Sequence, residues 1–381
     1  MTSFSGPDIS VVIPALDEEQ SIETCINKIK DILSKKDLSY EIIVSDSSGD
    51  RTAELARRTG AIVVHPKKLG YGCAYIEGLR HIHGKYVVIG DADNTYDFSE
   101  VPLLISELDH GADLVIGSRF RGGIKEGAMK PLHQYIGNPL LTWILNGAFG
   151  TQFSDAHSGF RAIRSEALNK LDLQSCGMEF ASEMLVKASR EGLKISEVPV
   201  TYYPRVTPSK LNSFTDGWRH LRFILLLKPL AFLTLPGIFF SIFGLIIMAA
   251  FYTSQNNPDA HTHSFILGVL LLTGGLQLFL SGVVIHVYSA VHGFEQKDAL
   301  VKNLLNYQIL EICIVLGSVI ILAGLIIGAK IMYGWIKSGF GSLDAIMSAI
   351  LSLAFILIGL EIVFMAVLIS MMCLNQETPS E

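Results

Sequence analysis

The first two hundred residues alternate short apolar runs with segments whose apolar residues recur at helical spacing. Ile9-Ser-Val-Val-Ile13, Glu41-Ile-Ile-Val44, Ala61-Ile-Val-Val64, Tyr86-Val-Val-Ile-Gly90 and Leu114-Val-Ile-Gly117 are apolar runs closed by turn residues, the pattern of buried strands. Pro14 is expected to end the first run, because proline cannot donate to a central ladder. Ser21 opens a segment with Ile22, Ile26, Ile29 and Leu33 on one face, which predicts an amphipathic helix. A second helix is predicted at about 52–59, stopped by Gly60, and Leu69-Gly-Tyr-Gly-Cys-Ala74 opens a third. Strands alternating with helices predict an α/β, Rossmann-like, mostly parallel sheet with flanking helices. Beyond Arg119 the alternation stops. Residues 126–150 mix Gly, Pro and aromatics, with a helical stretch from about Leu140. Residues 155–164 are polar and contain Gly, 178–190 read as a helix, and 195–203 as a last strand.

The pattern then changes class. Four apolar stretches, at about 230–252, 264–290, 309–333 and 345–373, each reach the roughly 20 residues needed to cross a bilayer. None has a polar face, so buried helices of a soluble core are the weaker reading. Residues 213–229 mix Trp218, Arg219, His220 and Arg222 with apolar side chains, which suits a helix lying in the membrane interface. The expected organisation is a cytoplasmic α/β domain at 1–212, an interfacial helix at 213–229, an all-α transmembrane domain of four helices at 230–375 and a cytoplasmic tail at 376–381. Charge supports it: of 30 Lys and Arg, only Lys297, Lys302, Lys330 and Lys337 follow Lys228. The link at 253–263 carries no Lys or Arg, so the soluble domain is expected on the cytoplasmic side of the cell membrane. His286 and Glu361 are costly inside spans and are read as structural pairing groups.

Composition agrees with two such parts, at 50% hydrophobic and 17% charged residues. A net charge of −6 gives no argument for nucleic-acid binding. The five cysteines, Cys25, Cys73, Cys176, Cys313 and Cys373, show no C-x-x-C and no evident pairing. They are expected as reduced thiols. The opening residues are polar and lead into a strand, so no signal peptide is expected.

The chemistry concentrates where strands end. Asp91 and Asp93 follow the Tyr86–Gly90 run directly, at the sheet edge where α/β folds bind ligands. Two carboxylates so close repel unless a cation joins them, and hard oxygen ligands suit Mg²⁺ or Mn²⁺. Asp46, after the second strand, can accept hydrogen bonds from a base or ribose. Pro14, Ala15 and Glu18, after the first, can wall a base pocket. Gly70-x-Gly72 allows close approach of a nucleotide but is a weak signal alone. Arg119, two residues past the fifth strand, can reach a phosphate.

Together these segments resemble a known family. Val12-Ile-Pro-Ala-Leu-Asp-Glu18, Val44-Ser-Asp46-Ser-Ser, Gly90-Asp-Ala-Asp93 and Ile116-Gly-Ser-Arg119 resemble an inverting family-2 glycosyltransferase of the GT-A fold. Asp155-Ala-His-Ser-Gly-Phe-Arg161, Gly177-Met-Glu-Phe-Ala-Ser-Glu183 and Arg205 followed by Ser209-Lys-Leu211 resemble polyprenyl-phosphate sugar synthases. The resemblance covers about 8–228, and the four spans are similar to the membrane part of archaeal-type dolichyl-phosphate mannose synthases. It implies that Pro14, Ala15, Glu18 and Asp46 bind the nucleotide. Asp91, Ala92 and Asp93 would hold the donor and a divalent metal, Mg²⁺ or Mn²⁺, through Asp91 and Asp93. Arg205 and Lys210 would clamp the donor diphosphate. Arg119, Lys130 and His133 would serve the acceptor phosphate, and Asp155 would lie near the reacting centre with Asp93 and Arg119. The implied partners are a nucleotide sugar, polyprenyl or dolichyl phosphate and the bilayer, with a homo-oligomer allowed. Glu179 and Glu183 are read as structural.

Two departures matter. Ser45-Asp46 replaces a paired Asp, and Thr95 stands where mannose synthases carry Gln. The second shifts the expected donor from GDP-mannose to UDP-glucose or UDP-N-acetylglucosamine. A lipid phosphate is already an anion, so the expected catalysis is alignment plus charge neutralisation, with inversion at the anomeric carbon. A processive polysaccharide synthase is disfavoured because Asp216-Gly217-Trp218 lacks its Q-x-x-R-W motif. A non-catalytic membrane scaffold with a degenerate nucleotide site is disfavoured by the intact Asp91/Asp93 pair.

Overall fold

The computed structural model describes residues 6–205, 213–252, 258–292, 294–295, 298–341 and 345–374. Strands β1 (Ile9–Ala15), β2 (Tyr40–Asp46), β3 (Ile62–Val64), β4 (Tyr86–Ile89), β5 (Leu114–Ser118), β6 (Gly123–Ile124), β7 (Arg161–Arg164) and β8 (Ile195–Tyr202) form one sheet in the order β3-β2-β1-β4-β7-β5-β8-β6. The helices interleaved with it are α1 (Ile22–Ser34), α2 (Thr52–Arg58), α3 (Tyr71–Leu79), α4 (Val101–Asp109), the short α5 (Arg119–Gly122), α6 (Asn138–Phe149), α7 (Ser165–Leu168) and α8 (Phe180–Arg190), and α9 (Ser213–Leu227) follows in the chain. Val11, Ile13, Ile26, Val44, Val88 and Val115 are fully buried in the core between sheet and helices. Each contributes about 1.5–3 kcal/mol by leaving water.

Pro14 does not end β1, which runs on to Ala15 beside β2. The carbonyl of Val12 accepts from Gly90 and so faces β4. Pro14, two residues on, faces the same side, past the last residue of β4, where no ladder partner waits for an N–H.

The hydrophobic pattern missed the two-residue β6 and also β7, whose Arg161-Ala-Ile-Arg164 begins and ends on a cation. β7 lies antiparallel between β4 and β5, whereas the other pairings in the sheet are parallel. An antiparallel strand starts where its parallel neighbours finish. The lead-in, residues 155–160, therefore reaches the same edge as Asp91 after β4 and Arg119 after β5. β8, parallel to β5, ends at that edge too and delivers Tyr202 and Arg205.

The expectation of unpaired thiols is corrected at one pair. Cys73 and Cys176 form a disulfide across 103 residues of sequence, while Cys25 and Cys313 are free. The bond ties the start of α3 to the loop before α8. Gly70 adopts a φ of +150°, and a Cβ there would collide with the carbonyl of Cys176. Glu183, fully buried, accepts the backbone N–H groups of Gln174 and Ser175 at 2.8–3.1 Å and fixes the same loop.

The chain divides into two compact units, Met1–Phe223 and Ile224–Glu381. The second contains α10 (Leu235–Tyr252), α11 (Pro258–Val291), α12 (Ala299–Leu304), α13 (Tyr307–Lys337) and α14 (Ile346–Leu374). Four segments, Leu230–Tyr252, His261–Val291, Gln308–Lys337 and Ile346–Met372, are long and apolar enough to cross a membrane. They pack through small residues: Gly237 and Gly244 of α10 meet the backbone of α11 at Gly275 and Gly268, and Gly317 meets Gly359 between α13 and α14. Close backbone approach drives association where surrounding lipid removes the hydrophobic incentive. His286, near the end of α11, lies 3.0 Å from both Glu295 Oε2 and Asp298 Oδ2. Glu361 Oε2 is shielded, with no hydrogen-bond partner among the described residues.

Candidate active site

The two carboxylates after β4 have different surroundings. Asp91 Oδ1 accepts the Tyr71 hydroxyl at 2.9 Å and faces that of Tyr75 at 3.4 Å. Burial, and then the charge of Asp93, push its pKa up to about 6. Burial and the Asp91 charge raise the Tyr71 phenol well above its ordinary value, so it stays a donor. Asp93 is almost fully buried, and its Oδ1 accepts both the N–H and the hydroxyl of Thr95, at 3.0 and 2.6 Å. Asn94, at a φ of +59°, makes the turn that folds Thr95 back; Asn tolerates that conformation better than most residues. The other oxygen of Asp93 pairs with Nε and Nη2 of Arg205. Arg205 is held there because Tyr203 donates its N–H to the Thr95 carbonyl at 2.8 Å.

Arg119 is turned onto Asp155. Its Nε donates to Oδ2 at 2.7 Å, its Nη2 to Oδ1 at 2.8 Å and its backbone N–H to Oδ2 at 3.1 Å. Bidentate pairs of this kind fix orientation as well as charge. Tyr202 stacks under the guanidinium at 5.2 Å. Next in the lead-in to β7, the fully buried Arg161 donates to the carbonyls of Ala156, Ser158 and Ala181 at 2.6–2.9 Å. Burial lowers its pKa to about 10, so it remains a cation at neutral pH. Gly159 completes the segment: a Cβ there would lie 2.7 Å from the Tyr71 hydroxyl and 3.0 Å from Asp91 Oδ2. Only glycine lets the backbone pass the carboxylate so closely.

A cavity of about 490 Å³ opens at this edge. Of the sequence-predicted residues, Pro14, Ala15, Glu18, Asp91, Ala92, Asp93, Arg119, Lys130, His133 and Arg205 line it. Asp46 does not; it is buried, accepts the Ser48 hydroxyl at 2.6 Å, and leaves its neighbour Ser47 on the wall. Asp155 does not line it either, being spent on Arg119 beneath the surface. Lys210 lies outside the described residues. Sequence reasoning missed Tyr71, Tyr96, His157 and His220 on the wall. Tyr71 was findable, since it opens the helix beside Gly70 and Gly72. His157 and His220 were not, because tertiary packing alone brings their rings to 4.5 Å.

Among the described residues no group of three His, Cys, Asp or Glu side chains could by itself cage a metal. Asp91 and Asp93 nevertheless fit a hard divalent cation of the kind held by one or two carboxylates plus substrate phosphates. Among the described residues Asp91 receives only phenolic hydroxyls, and its raised pKa is what a nearby cation would relieve.

On the far side of the cavity, residues 132–143 expose an apolar face. Leu132, Tyr135, Ile136, Leu140 and Trp143 are each at least half exposed. Lys130 and His133 sit at its start.

Comparison with known proteins gives consistent results. Residues 10–172 match the family described as glycosyl transferase family 2, and residues 283–373 match the glycosyltransferase family 2 C-terminal transmembrane region. The low-salt glycan biosynthesis hexosyltransferase Agl6 of Haloferax volcanii is 40% identical over 363 residues, covering 94% of this chain and 87% of that protein. A dolichyl-phosphate hexose transferase of the same organism is 30% identical over 218 residues, 57% of this chain and 92% of that protein. Among solved structures, glucosyl-3-phosphoglycerate synthase from Mycobacterium tuberculosis is similar over 59% of this chain and 80% of that chain, at 28% identity and a TM-score of 0.49.

Proposed function

Given that this chain belongs to glycosyltransferase family 2, and is a multi-pass membrane protein, we propose that it moves a hexose from a nucleotide sugar to polyprenyl or dolichyl phosphate with inversion. One observation carries the reading. A single cavity joins an anionic pair and a cation at the sheet edge, Asp91, Asp93 and Arg205, to Lys130 and His133 beside an exposed apolar face. The first group suits a diphosphate and the second a phosphate on a lipid. The relatives whose names specify a hexosyltransferase and a dolichyl-phosphate hexose transferase support the same class.

In this reading Pro14, Ala15 and Glu18 wall the nucleotide, with Asp46 stiffening the turn behind them through Ser48. Asp91 and Asp93 would hold Mg²⁺ or Mn²⁺, which when bound would offset the charge of the leaving diphosphate. Arg205 exchanges Asp93 for the diphosphate, joined by Lys210. Arg119, oriented by Asp155, presents its remaining N–H groups to the acceptor phosphate. The phosphate needs no general base, so the protein's work is alignment and charge stabilisation. Thr95 spends its hydroxyl on Asp93, and its standing where mannose synthases carry Gln is the ground for UDP-glucose or UDP-N-acetylglucosamine over GDP-mannose. We place the catalytic domain, to about residue 212, and the tail on the cytoplasmic side, and the helix at 213–229 in the membrane interface.

The test is incubation of the purified chain with polyprenyl phosphate, Mn²⁺ or Mg²⁺ and a panel of UDP- and GDP-sugars, scoring radiolabel in the organic phase. A glycolipid from a UDP-hexose is expected. Absence of product from every donor refutes the function, and product from GDP-mannose alone refutes the donor.

A further inference from the structure

One residue on the cavity wall carries a polar atom that the fold leaves unused. His157 Nε2 is shielded from solvent and has no hydrogen-bond partner among the described residues. Its ring lies on the cavity wall. The other nitrogen, Nδ1, faces the Thr142 hydroxyl at 3.5 Å, and the ring meets His220 edge to face at 4.5 Å. His220 is in turn fixed by Ser182 at 3.1 Å. A buried polar group without a partner costs free energy, so its retention calls for an explanation.

The backbone around His157 is pinned on both sides. Asp155 is locked by Arg119, Ala156 and Ser158 give their carbonyls to Arg161, and Gly159 donates its N–H to Tyr96 at 2.9 Å. The imidazole is thereby placed before any ligand arrives, as recognition groups must be. Gly159 touches Asp91, and two residues of chain span at most about 7 Å. The backbone of His157 therefore lies within about 7 Å of Gly159, on the same cavity as Asp91 and Asp93.

We propose that His157 Nε2 hydrogen-bonds a hydroxyl of the transferred hexose, making His157 a residue that sets which sugar is accepted. This rests on the hexosyltransferase reading above. The chemistry of the pocket selects a hydroxyl over a phosphate oxygen. Burial, then His220, Arg119 and Arg161, hold the imidazole well below its ordinary pKa, so it stays neutral. A neutral imidazole both donates and accepts, and so does a hydroxyl. Phosphates in this cavity have Arg119, Lys130 and Arg205 to meet instead.

The experiment compares the full chain with His157→Phe, which keeps a ring against His220, and His157→Gln, whose amide replaces the donor and acceptor. Binding of UDP and UDP-glucose, and of GDP and GDP-mannose, is measured by calorimetry in detergent with Mn²⁺. Transfer rates are measured for the active donor and for its singly deoxygenated analogues. His157→Phe is expected to weaken the nucleotide sugar about 3- to 10-fold, the worth of one neutral hydrogen bond. It should leave the bare nucleotide within about 2-fold, a difference too small to represent a hydrogen bond. One deoxy analogue should lose its disadvantage in the Phe variant, and His157→Gln should restore most of the affinity. Equal losses for nucleotide and nucleotide sugar, or unchanged discrimination among deoxy analogues, would overturn the proposal, as would a wild-type chain that binds no sugar better than its nucleotide. Failure to transfer to a lipid phosphate refutes the acceptor alone, because the binding comparison judges His157 without it.

Discussion

A carboxylate buried beside a second carboxylate works against its own fold until a cation joins it. Asp91 is in that position, with a pKa raised from 3.8 to about 6. Its protonated form is favoured in the folded state, so the destabilisation is absent well below pH 4, develops between 4 and 6, and is complete above. Asp91→Asn removes the charge. The variant is expected to be more stable than wild type at pH 7.5 without metal, by about 1–2 kcal/mol. The gain should shrink as pH falls through 6 and vanish well below pH 4, as read from melting midpoints across pH, while transfer activity is lost at every pH. An equal gain at both ends would mean that packing, not charge, separates the two proteins. Arg205 makes the complementary case. It neutralises Asp93 in the absence of donor, so Arg205→Ala should bind Mn²⁺ more tightly in a metal titration. The same substitution should cut turnover about 100-fold or more, the scale for losing a preorganised charge partner. Weaker metal binding in that variant would show that Arg205 supports Asp93 and does not compete for it.

Elements explain what the sequence could and could not reveal. β1, β2, β4 and β5 were legible because each is a largely buried apolar run. That placed Asp91, Asp93 and Arg119 at strand ends, and the structure brings all three to one cavity. β7 was not legible, because Arg161 and Arg164 draw on carbonyls that other segments supply, at Ala181, Ala112 and Leu108. With β7 unseen, the lead-in carrying Asp155 and His157 had no assigned edge, and the pairing of Arg119 with Asp155 could not be read. The disulfide was hidden for the same reason: Cys73 and Cys176 are 103 residues apart, and nothing local links them. It anchors the loop that closes against α3 at Gly70 and Gly72. Closing so long a loop restricts the unfolded chain, and reduction is expected to cost about 2–4 kcal/mol. Non-reducing peptide mapping should recover the Cys73–Cys176 linkage, and dithiothreitol should lower the melting midpoint of wild type but not of Cys73→Ser/Cys176→Ser. Equal melting with and without reductant in wild type would remove the tie from the account of stability.

At the scale of the whole molecule, the proposed reaction brings a water-soluble donor and a membrane-held acceptor together, which would fix the side of the bilayer that the catalytic domain occupies. Nucleoside diphosphate sugars are anions, and carrying such charge through a hydrocarbon layer unaided is prohibitive. On the proposed function, the catalytic domain is therefore expected on the side where these donors are made, the cytosol. The charge pattern makes the same choice independently. The approach to the first span carries Arg219, Arg222 and Lys228, and the link between the second and third carries Lys297 and Lys302, whereas residues 253–263 have no Lys or Arg. Cationic loops stay on the cytoplasmic side. Four spans would then return the tail to the face on which the chain starts. In a background without other cysteines, a membrane-impermeant maleimide added to intact cells is expected to label Asn256→Cys. It should spare Lys302→Cys and Ser380→Cys until the cells are lysed. Labelling of Lys302→Cys in intact cells, with Asn256→Cys protected, would put the cavity on the outer face and leave it without a nucleotide donor. Protection of all three would instead break the four-span count, since the link at 253–263 would then lie on the same face as the central link and the tail, and the first two spans would not each cross.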